Sequence, residues 1–194
     1  MIKSNNLILY LLIFSFLHSC SPTNILATGA GSGMVIAEGE RSMGTVIDDA
    51  TIKVNISAKF ISSEDNLFIN LSTTVLDGRV LLTGLVDNQE IRIDAVRRVW
   101  EVDGVQEVIN EIQIGNRATL KEYANDLWIN TQAKGLAAKA IGLRVVGYNF
   151  ETIQGKVYIA GITSRPNQLE DLINAVKTVK GVKEIVNYVI IKEK

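Results

Sequence analysis

His18 and Cys20 are the single histidine and the single cysteine among 194 residues, separated by one residue in FSFLHSCSPTN. Such a pair has the donor types of a zinc site or of a thiol activated by imidazole. Its surroundings point away from both. Lys3 makes the start of the chain positive, and Leu7 to Leu17 (LILYLLIFSFL) is apolar except for Ser15. That is the n-region and h-region of a secretory signal, shorter than the roughly 20 residues a membrane-spanning helix needs.

The residues LHSC resemble a bacterial lipobox, in which the cysteine becomes the diacylated N-terminus. Leu17 and Ser19 fit, whereas His18 stands where the pattern usually has a small or aliphatic residue. The resemblance implies a signal peptide over 1–19, removal of His18 with it, and consumption of the Cys20 thiol by acyl chains. The exported chain then has neither histidine nor free thiol, so the commonest general base, the thiol nucleophile, His/Cys metal sites and disulfides are all excluded. Carboxylates remain, but no pair stands out from the aspartates and glutamates of predicted helices and turns, where a solvated face is the ordinary explanation. No catalytic residue, metal site or cofactor is assigned.

The chemistry left to the exported chain is that of a surface, and one helix stands out. In NDLWINTQAKGLAAKAIGLR, Ile129, Ala133, Leu136, Ala137 and Ala140 recur at three- and four-residue steps and form a core stripe. At 100° per residue Trp128 shares the polar face with Thr131, Gln132, Gly135 and Lys139. An indole favours the headgroup zone and lysine attracts anionic lipid, so this face has the make-up of an interfacial helix. From 128 to 144 there are three cations, Lys134, Lys139 and Arg144, and no acid. The first-copy region 45–61 sets Asp48 and Asp49 against Lys53 and Lys59.

That first copy exists because the chain repeats. Sliding it by 77 residues places GRVLLTG (78–84) on GKVYIAG (155–161) and VDGVQEVINEIQI (102–114) on VKGVKEIVNYVII (179–191). The register holds without a gap between 78–114 and 155–191, with 11 identities in 37 positions, where roughly two or three are expected by chance. In each copy two alternating segments flank a turn signal, NLFINLS (66–72) and RVLLTGLV (79–86) about Asp77-Gly78, then LRVVGYNF (143–150) and KVYIAGI (156–162) about Gln154-Gly155. They predict β-hairpins. Helical spacing follows over 88–102 and 166–179, with Pro166 suited to a first turn and Gly104 and Gly181 placed as helix stops. A last strand closes each copy, and a helix precedes each hairpin, over 47–60 and 125–141. The class is α+β, with order αββαβ twice and a small mixed three-stranded sheet covered by two helices. A copy of about 70 residues is near the lower limit for an independent core, which favours packing of the two copies on each other.

The remainder, residues 20–44, is a glycine-rich tether, and the two repeats occupy 45–116 and 124–194. Balanced charge, 20 Lys and Arg against 21 Asp and Glu, argues against a nucleic-acid partner.

With these residues in view, each copy resembles the BON domain, whose signature is a glycine-framed GxVxLxG strand followed by a V-x-G-V step. Gly78 to Gly84 with Val102 to Val105 match it, as do Gly155 to Gly161 with Val179 to Val182. The whole layout is similar to the dual-BON outer-membrane lipoproteins. The resemblance implies a non-enzymatic protein on the periplasmic face of the outer membrane, binding anionic phospholipid through the first helix of the second domain and supporting envelope integrity. It would place the contact at Trp128, Thr131, Gln132, Lys134, Gly135, Leu136 and Lys139. Ser21, which is not the aspartate of inner-membrane retention, agrees with an outer-membrane address. The alternative is an interaction scaffold for envelope proteins, with helix 125–141 buried between the domains.

Overall fold

The computed structural model describes residues 42–115 and 119–192. The signal segment, Cys20 and most of the tether lie outside them. In the first repeat, α1 (Met43–Ile61) is followed by a single helical turn, Leu67–Asn70, then β1 (Leu71–Leu76), β2 (Arg79–Val86), α2 (Gln89–Trp100) and β3 (Glu107–Ile114). The second repeat gives α3 (Leu120–Ile141), a 3₁₀ turn (Gly142–Gly147), β4 (Tyr148–Ile153), β5 (Lys156–Thr163), α4 (Pro166–Lys177) and β6 (Glu184–Ile191). Each sheet has its middle strand in the centre, antiparallel to the strand before it and parallel to the strand after the crossover helix.

The predicted order holds, and its boundaries move for local reasons. The first hairpin strands were expected over 66–72 and 143–150. Instead the chain makes a helical turn over Leu67–Asn70 and a 3₁₀ turn over Gly142–Gly147 before each strand begins. Phe68, Ile69, Leu143 and Val146 are exposed there, so the apolar alternation that suggested strand was not a buried face. α3 begins at Leu120, five residues before the expected start, because Thr119 and Glu122 form a reciprocal capping box: the Thr119 hydroxyl accepts the Glu122 N–H, and the Glu122 carboxylate accepts the Thr119 N–H.

Gly104 and Gly181 do not stop their helices. α2 ends at Trp100 with its cap at Glu101, and α4 ends at Lys177. Both glycines lie beyond, at φ +91° and +92°, where a Cβ would come within 3.1 Å of Ile52 and 3.0 Å of Ile129 respectively. They let the turn after the crossover helix press on the first helix of the same domain.

Each domain has its own core between sheet and helices. In the first, α1 gives Ile52, Ile56 and Phe60, β2 gives Val80 and Leu82, and α2 gives Ala95 and Val99. In the second the bulk shifts from helix to hairpin. Ala133 and Ala137 stand where the first repeat has Ile56 and Phe60, and Tyr148 and Phe150 fill the space from β4.

The opposite faces of the two sheets meet. Leu76 and Leu81 pack with Ala160 and Ile162, bordered by Ile109, Tyr188 and Ile190. Polar links among the described residues cross this seam: the Ser72 hydroxyl donates to Glu151, the Gln113 amide to the Tyr158 hydroxyl, the Tyr188 hydroxyl to Glu111, and the Lys192 ammonium to Asp77. Burial, then the hydrogen bond to Glu111, pushes the Tyr188 phenol well above the ordinary tyrosine range.

Candidate functional site

α3 positions the candidate residues. Its buried stripe is Asp126, Ile129, Ala133, Ala137 and Ile141. Ala140, expected in the stripe, is exposed, and Ile141 takes that place. Trp128 keeps 48% of its surface in solvent. It shares the outward face with Thr131, Gln132, Gly135 and Lys139, all exposed. The helix is thus not buried between the domains on its tryptophan face, because the sheets form the seam.

Two of the seven residues predicted by resemblance fall elsewhere. Leu136 is only partly exposed and packs against the core of the second domain. Lys134 lies six positions from Trp128, about 120° around the axis, on the flank whose charge reaches Glu151. Five residues therefore make one continuous outward face. Lys139 is eleven positions from Trp128, roughly 16 Å along the axis and nearly in line with it. Gly135 faces open space, since nothing lies within 4 Å of where its Cβ would be. Packing does not require glycine there, although it weakens the helix by about 0.8–1.0 kcal/mol relative to alanine.

The electrostatics of the two first helices differ for a reason the simple count misses. Asp49 and Asp126 occupy the same place in the repeat, and neither is a surface charge. Asp49 is 5% exposed and Asp126 is 9% exposed. The Asp49 carboxylate accepts the N–H groups of Asp77 and Gly78 at 2.8 and 2.9 Å. Asp126 accepts those of Gln154 and Gly155 at 2.6 and 2.8 Å. Each clamps a hairpin turn whose two central residues have positive φ: Asp77 (+53°) and Gly78 (+74°), Gln154 (+53°) and Gly155 (+82°). Sequence reasoning assigned these aspartates to a solvated face, yet the same offset of 77 that aligns the strands also aligns them.

With the clamps set aside, α1 shows Asp48 outward and its Lys59 is neutralised by Glu101 at 2.9 Å. Among the described residues, Lys134 and Lys139 form no ion pair. The outward face of α3 is therefore the more cationic, and α1 has no aromatic residue where α3 has Trp128, the equivalent position being Thr51. Three further large apolar side chains of α3 are exposed, Leu120 at 84%, Tyr123 at 63% and Leu127 at 56%; the first two precede the expected helix start at 125, and Leu127 lies within it but off the Trp128 face. Among the described residues no cluster of acids, histidines or cysteines could hold a metal ion, and no helix is long and apolar enough to cross a membrane.

Comparison with known proteins adds to this geometry. A family model for the BON domain matches residues 48–116 and 125–193. The chain is 38% identical over 147 residues to an "Uncharacterized protein in gshII 5'region" of Anaplasma centrale, an alignment covering 75% of this chain and 96% of that one. It is 28% identical over 184 residues to the "Outer membrane lipoprotein DolP" of Haemophilus influenzae, covering 89% and 90%. It is 25% identical over 168 residues to the "Osmotically-inducible protein Y" of Escherichia coli, covering 84% and 83%.

Proposed function

Because the chain belongs to the BON-domain family, carrying the domain twice, we propose that it is a non-enzymatic lipoprotein of the bacterial envelope. In this reading it is exported, anchored through acylated Cys20 on the periplasmic face of the outer membrane, and reads anionic phospholipid with the outward face of α3, supporting envelope integrity. The observation that carries the reading is that face itself: a half-exposed Trp128 in line with Lys139, which has no ion-pair partner among the described residues, and no acid between 128 and 144. Support also comes from the Haemophilus relative, named as an outer-membrane lipoprotein.

The division of labour follows from magnitudes. Two acyl chains already give stable attachment. A lysine near an anionic surface adds about 1 kcal/mol, and an indole at the headgroup level adds orientation. The face of α3 thus selects where on the membrane the protein sits and how it is turned, while the anchor keeps it there.

The test is co-sedimentation of residues 40–194 with phosphatidylglycerol-containing and with pure phosphatidylcholine vesicles, for the parent and Trp128→Glu. The expected result is binding of the parent to the anionic vesicles alone and its loss in the variant, with both proteins unfolding at similar temperatures. Equal binding to both vesicle types, or full binding by Trp128→Glu, would overturn the reading.

A further inference from the structure

A groove of about 610 Å³ runs between the two domains, beside the seam and on the flank of α3 turned away from Trp128. Its mouth has exposed apolar side chains from both repeats, Ile69 from the first and Leu120, Tyr123 and Leu127 from the second. The last three recur at helical spacing, so one helix face supplies three anchors in a row. Its wall is of the opposite character. Glu151 lies there, partly buried, and among the described residues its carboxylate receives a single hydrogen bond, from Ser72 at 3.3 Å. Asn130 Oδ1, in the same wall, is buried without a hydrogen-bond partner among the described residues.

Among the described residues no lysine or arginine lines the groove. Lys134 and Lys53 are near enough for their charge to favour the carboxylate, while Asp126 opposes it, but among the described residues neither lysine forms an ion pair with Glu151. A partly buried carboxylate with one long hydrogen bond and a neighbouring orphan acceptor favours an incoming cationic donor. The same wall repels phosphate, so this concave surface differs in chemistry from the outward face of α3. Its shape, apolar at the mouth and accepting within, fits side chains better than a flat bilayer.

We propose that this interdomain groove binds a short segment of a partner polypeptide that presents a lysine or arginine between apolar residues, with the cation on Glu151 and the apolar neighbours on Leu120, Tyr123 and Leu127. Binding here is independent of lipid recognition, because Trp128 lies on another flank of the same helix. Since both domains line the groove, it exists only in the tandem arrangement.

The experiment uses the full chain in phosphatidylcholine nanodiscs and four fluorescent hexapeptides, GLFKLG, GLFRLG, GLFQLG and GLFELG, followed by anisotropy against empty discs. The expected result is saturable binding of the lysine and arginine peptides, at least tenfold tighter than the glutamate peptide. Glu151→Gln should weaken the lysine peptide at least tenfold, and Leu127→Ser, at an exposed position where folding is not at stake, should do likewise. Trp128→Glu should leave it unchanged within a factor of two. The proposal fails if no peptide binds above empty discs, if GLFELG binds as well as GLFKLG, or if Glu151→Gln has no effect in a folded protein. It also fails if Trp128→Glu is as damaging as Glu151→Gln, which would move the peptide onto the membrane-facing surface.

Discussion

Replacing Asp126 by asparagine keeps the size of the side chain and changes one thing: an oxygen that accepts a backbone N–H becomes an NH₂ group pointed at it. The carboxylate now accepts from Gln154 and Gly155 at 2.6 and 2.8 Å, at a site 9% exposed. A hydrogen bond to a charged group contributes about 1.5–3 kcal/mol net, and a buried N–H left without a partner costs about 1–3 kcal/mol. The asparagine can still serve one of the two N–H groups, so the expected loss is about 2–4 kcal/mol. Gln154 adds to this, since a non-glycine residue at positive φ is held against about 1–2 kcal/mol of its own preference. In a domain of this size each kcal/mol moves the unfolding midpoint by about 4–8 °C, so a loss of 3 kcal/mol lowers it by about 12–24 °C. Thermal and urea unfolding of residues 40–194 measure this, with amide exchange at Gly155 as the local probe. Asp49→Asn should do the same to the first domain, whereas Asp48→Asn, next to it but exposed, should cost under about 0.5 kcal/mol. If Asp126→Asn and Asp48→Asn shift the midpoint equally, the clamp argument is wrong.

Further outcomes follow from other sites. Gly181→Ala should destabilise by more than about 1 kcal/mol through its φ of +92° and its approach to the Ile129 Cδ1 atom, and adding Ile129→Val should recover the steric part while leaving the backbone part; double-variant urea titrations measure the coupling. Burial raises the Glu151 carboxyl above the ordinary glutamate value of 4.5, so its ionisation opposes folding: stability relative to Glu151→Gln is greatest at lower pH and falls as pH rises from about 4.5 through the raised folded value. Urea midpoints of parent and variant across pH 4–8 should diverge in that direction, and a constant difference would refute the assignment. Gly135→Ala should stabilise by about 0.5–1 kcal/mol because its Cβ meets open space, and an alanine that lowers the melting temperature would show an undetected contact.

What the sequence disclosed and what it concealed separate along physical lines. The repeat made the order of elements legible, because glycine-framed strands and apolar spacing are local signals that occur twice at one offset. Trp128 was legible as lying off the core stripe, which is regular, while its exposure depended on how the two domains pack and was not. Asp49 and Asp126 were concealed by their chemistry: a carboxylate on a helix is a surface charge by default, and only the neighbouring turn, 28 residues away in sequence, shows that it is a backbone acceptor. Lys134 and Leu136 lie off the Trp128 face, since a candidate list taken along a helix does not respect its circumference. Leu120 and Tyr123 were concealed because the capping box at Thr119 and Glu122, itself a readable pattern, lay just before the expected start, and Leu127 because it sits off the face that carries Trp128. Glu151 could not be assigned from sequence at all, since its partner Ser72 belongs to the other domain.

The contact between Tyr188 and Glu111 joins residues separated by 77 positions, the same number that superposes one repeat on the other. A residue that touches its own repeat equivalent lies on an approximate two-fold axis. Leu81 and Ile190, the counterparts of Tyr158 and Gln113, lie together in the same apolar cluster, as such an axis requires. The seam therefore has the geometry of a homodimer interface enclosed within one chain. In a dimer of identical subunits this position would set glutamate against glutamate or tyrosine against tyrosine. Fusion removes that constraint, allowing a donor to face an acceptor where symmetry would have forced two of the same.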